Sequence, residues 1–243
     1  MSDLFEVNGL LTTAPANLLP GVLEEVGLAD AMATVDSPIG PLHIAWNGLG
    51  VRHLSTMPEH MEADRVGRRV DTAPDWLARA LDTFFHGRRP RLDYDLRGLS
   101  GFERDVLDAC ATVPPGEVRP YSWIAREIGR PKAVRAVGSA LGRNPVPLLI
   151  PCHRIVRADG LIGNYGLGPP VKWKLLEMEG LDPSGMEKEA RHGVRLHGSD
   201  TTHIYCLPTC RHGKRVMERH QVVFRSREQA ENEGYRACKV CKP

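Results

Sequence analysis

Residues 122–144 read SWIAREIGRPKAVRAVGSALGRN: two short apolar-periodic stretches joined by Gly129-Arg130-Pro131. A glycine stops one helix and a proline can open the next, so the spacing predicts two helices with a tight connection, the helix-turn-helix pattern. In the second helix Val134, Val137 and Leu141 fall at i, i+3 and i+7, which predicts one buried side. Elsewhere it carries Ala136, Gly138, Ser139 and Ala140, all small, and one large side chain, Arg135. Stability does not favour glycine and serine inside a helix. Close approach to another surface does, and Arg135 is placed to reach into it.

The chain continues as NPVPLLIPCHRIV, residues 144–156. The LLI run reads as a strand or a core segment, and Pro151 removes a backbone donor and fixes the chain direction before Cys152. A thiol attacks only as the thiolate, so it needs a base or a lowered pKa. His153 is the candidate base. Neighbouring side chains on a strand point to opposite faces, so contact between the two requires a turn or a bridging water. A third group should orient the imidazole, and Glu177 and Glu179 are the nearest downstream acids. From spacing alone Cys152 is either a nucleophile or a structural cysteine.

Upstream, SGFERDVLDACATV (100–113) is helical, with Cys110 on its apolar side as a small buried hydrophobe. Residues 16–30 read as a short amphipathic helix. GPLHIAWNGLGVRHLS reads as a hairpin turning at Asn47-Gly48, and residues 75–87 as a helix capped by Asp75 and ended near Gly87. Together these make a small α/β domain without chemistry of its own. Downstream, ADGLIGNYGLGPP is a glycine-rich loop and VKWKLLEMEG a helix. LDPSGMEKEARHG, with turn residues and charge but no apolar period, reads as a linker.

At 243 residues, 42% hydrophobic and 26% charged, the composition fits a soluble globular protein of one to three domains. No run approaches a membrane span, and MSDLFEVNGL lacks the pattern of a secretory signal. The expectation is an intracellular, cytoplasmic protein with no membrane partner, whose six cysteines serve metal binding or catalysis and not disulfides. The formal charge of +2 is uneven: eight Lys or Arg against one acid from Arg119 to Arg157, and eleven against five from Ala190 to Pro243. Two basic blocks on an otherwise acidic chain fit a polyanion that touches two places, or two solvated faces.

Cys206-x3-Cys210, 27 intervening residues and Cys238-x2-Cys241 match one tetrahedral zinc site, whose plain reading is a structural knuckle. Four thiolates saturate the metal, so His192, His197, His203, His212 and His220 read as surface residues.

PCHRIV, with RPKAVRAVGSALGRNPVPLLI before it and GNYG after it, resembles the O6-alkylguanine-DNA alkyltransferase family from about Phe102 to Gly180. The first hundred residues fit the family's amino-terminal domain more loosely. The resemblance implies an α/β + α architecture. It comprises a ribonuclease-H-like α/β domain (1–95), a winged helix-turn-helix alkyltransferase domain (96–181), a linker (182–193) and a small four-cysteine zinc domain (194–243). It implies flipping of an alkylated guanine out of double-stranded DNA and irreversible transfer of the alkyl group to Cys152, without a cofactor and once per molecule, by a monomer. His153 would deprotonate Cys152 through a water, Glu179 would orient His153, and Asn144 would brace the turn. Tyr121 would help extrude the nucleotide and protonate the departing base. Arg135, with Ala136 and Ser139 on the same helix, would contact DNA in the minor groove. Tyr165, with Gly163 and Asn164, would line the substrate pocket, and Gly166 stands where some members carry serine. HIYCLPTCRHGKR and GYRACKVC are similar to the zinc domain of Ada, which repairs methyl phosphotriesters. That similarity implies Cys206 as a second methyl acceptor, held on the metal with Cys210, Cys238 and Cys241. The AraC-like activator region usually attached to that domain does not follow in this sequence, so direct transcriptional activation is not implied. A lesion-recognising binding protein with a purely structural zinc domain is the rival reading. Proteins of that type lack the nucleophile that PCHR retains.

Overall fold

A computed structural model of the chain describes residues 18–61 and 67–243. The chain divides into two compact units, one running to Asp75 and including Leu92–Asp95, the other formed by Trp76–Arg91 and Leu96–Pro243.

In the first unit helix α1 (Leu18–Glu25) precedes strands β1 (Asp30–Val35), β2 (Leu42–Asn47), β3 (Gly50–Ser55) and β4 (Gly67–Arg69). The helix is shorter than expected: Gly27 adopts a φ of 72° and Asp30 already belongs to β1, while residues 16 and 17 lie outside the described residues. The sheet order is β3-β2-β1-β4, antiparallel except for β4, which runs parallel to β1. The predicted hairpin forms, closed by the Asn47–Gly50 pair, with a register shift between Ala45 and Trp46. Leu42, Ile44, Ala45, Val51 and Leu54 are its buried apolar residues. Asn47 uses both amide hydrogens on carboxylates, 2.8 Å to Asp30 Oδ1 and 2.9 Å to Asp95 Oδ2, and Arg52 lies 2.7 Å from Asp30. These buried polar groups are partnered, as burial requires, and they tie the hairpin end to β1.

The second unit begins with all but the first residue of helix α2 (Asp75–Phe85). Helices α3 (Gly101–Ala111), α4 (Tyr121–Glu127) and α5 (Val134–Gly142) pack together. Ser100 and Glu103 make a reciprocal cap at the start of α3, satisfying two of its free amides. Cys110 is fully buried, as its position predicts. The inner face of α5 is Val137, Ala140 and Leu141, so Ala140 lies inward and Val134 is only half-buried. Arg135, Ala136 and Ser139 remain outside that face.

The LLI segment is a buried loop, not a strand: Leu148, Leu149 and Ile150 are all in the core, and Leu148 takes a φ of 74°. Behind the helix pair, β5 (Arg119–Pro120) and β6 (Ile155–Val156) form a short parallel ladder. Helix α6 (Pro169–Met178) follows. The expected linker contains a helix, α7 (Pro183–Arg191), with Asp182 accepting from the Gly185 amide at 3.0 Å and Pro183 in its first turn. Beyond Pro183 the inward apolar positions are Met186 and Ala190, with Met186 on a cluster of Val118, Val156, Ile162 and Leu176. Two such positions are too few to show a period.

The last fifty residues form a second four-stranded sheet, order β10-β8-β7-β9: β7 (Leu196–Ser199), β8 (Ile204–Cys206), β9 (Gln221–Phe224) and β10 (Arg236–Ala237), with helix α8 (Arg227–Asn232) between the last two. Tyr205, Phe224 and Ala230 fill its core together with the four cysteines. Gly198 is required there, because the Phe224 and Tyr235 rings press where a Cβ would project. Among the described residues no helix is long and apolar enough to cross a membrane.

Candidate active site and metal centre

Cys152, His153 and Arg154 form a single 3₁₀ turn, so the strand argument against cooperation of Cys152 and His153 does not apply. Cys152 is 7% exposed and His153 fully buried. Asn144 holds the turn through three hydrogen bonds. Its Nδ2 donates to the Ile150 carbonyl at 2.9 Å and to Cys152 Sγ at 3.1 Å, and its Oδ1 accepts from the Val146 amide at 3.1 Å. Burial pushes the Cys152 thiol up, while the Asn144 hydrogen bond and the Lys172 charge oppose that rise. The group that braces the turn therefore also stabilises the thiolate.

His153 Nε2 lies 2.8 Å from Glu179 Oε1. Burial raises the Glu179 pKa, but the His153 hydrogen bond and charge, with Arg154, prevail and bring it to about 2. An ionised carboxylate fixes the tautomer: Nε2 carries the proton and Nδ1 the lone pair. Burial lowers the His153 pKa against the pull of Glu179, which keeps the ring neutral at pH 7 and basic at Nδ1. Nδ1 is itself buried, with no hydrogen-bond partner among the described residues. Of the two candidate acids Glu177 is exposed and Glu179 turns inward. Arg154, the cation beside the nucleophile, serves Glu179, donating from Nη2 at 2.8 Å and Nε at 3.0 Å, and also reaches the Val113 carbonyl at 2.7 Å. The Gly116 amide completes the carboxylate's partners at 3.0 Å.

The Phe84 ring lies edge-on to the imidazole, centroids 6.0 Å apart, with Tyr165 at 6.2 Å. A helix read as part of a chemically silent domain thus covers the base. The Tyr165 hydroxyl is buried near the Leu148 backbone, with no hydrogen bond among the described residues. Burial and then the Cys152 charge hold its pKa well above the phenolic value, so it is a donor. Tyr121 is the first residue of α4. It is half-buried beside Gly138, and its pKa is raised by burial and by the charge of Cys152.

Sequence reasoning missed Lys172. It is completely buried in α6 and donates to the carbonyls of Ile155 at 2.6 Å, Ile162 at 2.7 Å and Asn164 at 3.3 Å. Burial lowers its pKa to about 8. It ties the loop of Gly163, Asn164 and Tyr165 to the strand that follows the nucleophile. A signal existed: Lys172, Leu175, Leu176 and Glu179 fall at i, i+3, i+4 and i+7, so a lysine sits on the inward stripe.

In the carboxy-terminal sheet the sulfurs of Cys206, Cys210, Cys238 and Cys241 all lie within 4.8 Å of one another, and all four residues are buried. Tetrahedral zinc with bonds of about 2.3 Å places its sulfurs about 3.8 Å apart, inside that limit. The Leu207 and Val240 amides donate to Cys241 and Cys238 sulfurs, each at 3.4 Å, an arrangement that favours thiolates. The donor set fits zinc. Of the four, Cys206 and Cys238 line a cleft of about 360 Å³ shared with His197, His212, Arg236 and Lys239. Of the histidines read as surface residues, His197 is not one. Its side chain is 11% exposed, with Nδ1 2.8 Å from Gln221 and Nε2 3.3 Å from Glu189 without hydrogen-bond alignment.

A mixed α/β fold with a buried cysteine, a carboxylate-backed histidine and a four-cysteine centre narrows the class to cysteine group-transfer proteins carrying a metal module. Comparison with known proteins specifies it. Residues 101–181 match the 6-O-methylguanine DNA methyltransferase DNA binding domain, and residues 187–243 match the metal binding domain of Ada. The methylated-DNA–protein-cysteine methyltransferase of Methanosarcina barkeri is 36% identical over 155 residues, covering 60% of this chain and 94% of that protein. The Mycobacterium tuberculosis protein of the same name is 40% identical over 151 residues, covering 60% and 90%. The crystal structure of Mycobacterium tuberculosis OGT in complex with DNA superposes with a TM-score of 0.57 at 38% identity, over 62% of this chain and 93% of that one. The chain belongs to the methylated-DNA–protein-cysteine methyltransferase family.

Proposed function

We propose that this protein repairs DNA by moving the alkyl group of an O6-alkylguanine onto Cys152, once per molecule. The observation that carries the reading is the buried turn on which the Asn144 amide meets Cys152 Sγ at 3.1 Å while His153 is held against Glu179 at 2.8 Å. The thiol proton passes through a water to His153 Nδ1, leaving imidazolium stabilised by Glu179. The sulfur attacks the alkyl carbon, an S–C bond forms as the C–O6 bond breaks, and the electron pair stays on the guanine, which takes a proton from Tyr121. Tyr165 donates to the guanine oxygen, and Gly163 and Asn164 shape the wall of the pocket, secured by Lys172. The thioether does not hydrolyse, so no cycle follows.

Double-stranded DNA is the partner, and the slim outer face of α5 supports this: Ala136 and Ser139 permit close approach and Arg135 projects from it. Arg135 would fill the stack where the base had been. The order β3-β2-β1-β4 supports a ribonuclease-H-like reading of residues 1–95, and the β5–β6 ladder behind α4 and α5 supports a winged helix-turn-helix reading of 96–181. Residues 194–243 act as the zinc module, joined to the catalytic domain through α7. Zinc, when bound to Cys206, Cys210, Cys238 and Cys241, would hold these sulfurs as thiolates. Cys206, on the cleft with Arg236 and Lys239, is the second acceptor, taking a methyl group from a neutral phosphotriester and leaving an ordinary phosphodiester. The protein works as a monomer in the cytoplasm. Intact-mass analysis after mixing with a duplex containing O6-methylguanine should show one added methyl on Cys152, absent in Cys152→Ala. Multiple turnover, or a methyl on Cys110, overturns the reading.

A further inference from the structure

The four-cysteine module is attached to the catalytic helices by its ligand loops. Thr209, between Cys206 and Cys210, accepts from the Val118 amide at 2.8 Å with its hydroxyl, and both residues are buried. The Cys241 carbonyl accepts from Trp123 Nε1 at 2.9 Å, again buried. The next carbonyl, of Lys242, accepts from Arg126 at 3.2 Å, while Lys242 Nζ lies 2.7 Å from Glu127. Beside Cys210, the Arg211 amide donates to Glu117 Oε1 at 3.3 Å. The other Glu117 oxygen pairs with buried Arg119 at 2.6 Å, and the Arg119 guanidinium lies over the Trp123 ring, 5.6 Å from its centroid. These partners run from Glu117 through β5 into α4, the helix that begins with Tyr121. The module contributes atoms from both halves of its ligand set. Four of the contributing residues, Thr209, Arg211, Cys241 and Lys242, are ligands or lie within one position of one in sequence, and Lys214 adds a bond from Nζ to the Gly116 carbonyl at 3.3 Å.

We propose that the cysteine cluster is a clasp on β5 and α4: metal loading holds that segment where Tyr121 faces the Cys152 pocket, so the metal-free protein transfers alkyl groups poorly although no zinc ligand takes part in that reaction. The second half of this statement rests on Cys152 being the nucleophile. A structural zinc site supplies the ordering of its own loops. Without the metal, residues 206–211 and 238–242 lose their fixed course. The Val118 amide, the Trp123 indole and the Glu117–Arg119 pair then lose buried partners, which buried polar groups tolerate only by rearranging. Helix α3 has its own cap at Ser100 and Glu103 and serves as an internal reference.

The test is hydrogen–deuterium exchange of the full chain under reducing conditions, zinc-loaded, stripped with a chelator, and reloaded. Loss of two buried hydrogen bonds should raise exchange in residues 117–127 by roughly tenfold or more, with residues 101–111 unchanged and protection restored by zinc. With zinc bound in full stoichiometry, Trp123→Phe and Thr209→Val should each raise exchange in the same segment by a smaller factor. The rate constant for methyl transfer from an O6-methylguanine duplex should fall with the protection and recover with it. If stripping loosens only residues 196–243 and leaves 117–127 as protected as before, the clasp does not exist. If 117–127 loosens and the transfer rate does not change, the link to Tyr121 is wrong. If the loaded protein transfers nothing, the reading of Cys152 has failed, and exchange alone still decides the clasp.

Discussion

Replacing Glu179 by glutamine tests the physical centre of the site with little change in shape. The carboxyl titrates at about 2 in the folded protein against 4.5 for a free glutamate. Its ionised form is therefore favoured over the neutral one by about 2.5 pH units, or roughly 3 kcal/mol. Glutamine stands in for the neutral form, and part of the depression comes from protonated His153, which is neutral at pH 7, so Glu179→Gln should cost up to about 3 kcal/mol there. That agrees with the roughly 3–5 kcal/mol typical of removing one partner from a buried ion pair, here leaving Arg154 unpaired. Because the folded pKa is depressed, this contribution is complete above pH 4.5 and disappears as pH falls through 2. By about pH 3.5 roughly 1.4 kcal/mol of it should be gone. Urea melts of both proteins at about pH 7, 5 and 3.5 measure the gap, which should stay constant between the first two and narrow at the third. Metal loss at low pH affects both chains alike and cancels in the difference. Methyl transfer should fall by about 100-fold or more, since the imidazole loses the acceptor that fixes its tautomer. A glutamine variant within about 1 kcal/mol of the parent at pH 7, with an unchanged gap at about pH 3.5, would refute the assignment of Glu179 as the ionised anchor of His153.

Arg135→Ala should slow repair of duplex DNA far more than reaction with free O6-methylguanine, because in the proposed role the side chain offsets an unstacking cost of a few kcal/mol; equal losses in the two rate assays would make it a pocket residue. Lys172→Met leaves the buried Ile155 and Ile162 carbonyls without their donor and should cost about 2 to 6 kcal/mol in denaturant melts. A loss below about 1 kcal/mol would show that Lys172 does not secure the pocket loop. In a Cys152→Ala background, peptide mapping after exposure to methyl-phosphotriester DNA should find the methyl on Cys206. Zinc bound by four unmodified cysteines after that exposure would make the module purely structural.

Local chemistry was legible in the sequence, while of the partnerships across the fold only those the family resemblance implied, Glu179 with His153 and Asn144 with the Cys152 turn, were expected. PCHR, the slim face of α5 and the cysteine spacing each announce themselves within a few residues, because a nucleophile, a helix face and a metal ligand set are local patterns. The α7 helix escaped because, past its opening proline, Met186 and Ala190 are all that faces inward, and a capped polar helix looks like a linker. Ala140 was placed outward because its size said nothing about direction. Phe84 on His153 and Thr209 on Val118 join residues far apart in the chain, a pairing that composition cannot signal. Lys172 lay in view on an apolar stripe, but a buried lysine is rare enough to be passed over.

The amide at position 144 has a property that follows from its neighbour. Asparagine side chains age by cyclising onto the backbone nitrogen of the next residue, which must first give up its hydrogen, and they open to aspartate. Here the next residue is Pro145, whose nitrogen carries no hydrogen, so that route is closed. The point matters because Asn144 Nδ2 sits 3.1 Å from Cys152 Sγ: an aspartate there would set a negative charge against the sulfur and turn a donor into an acceptor. A molecule that reacts once spends its life waiting, and the proline keeps its trigger from spoiling on the shelf.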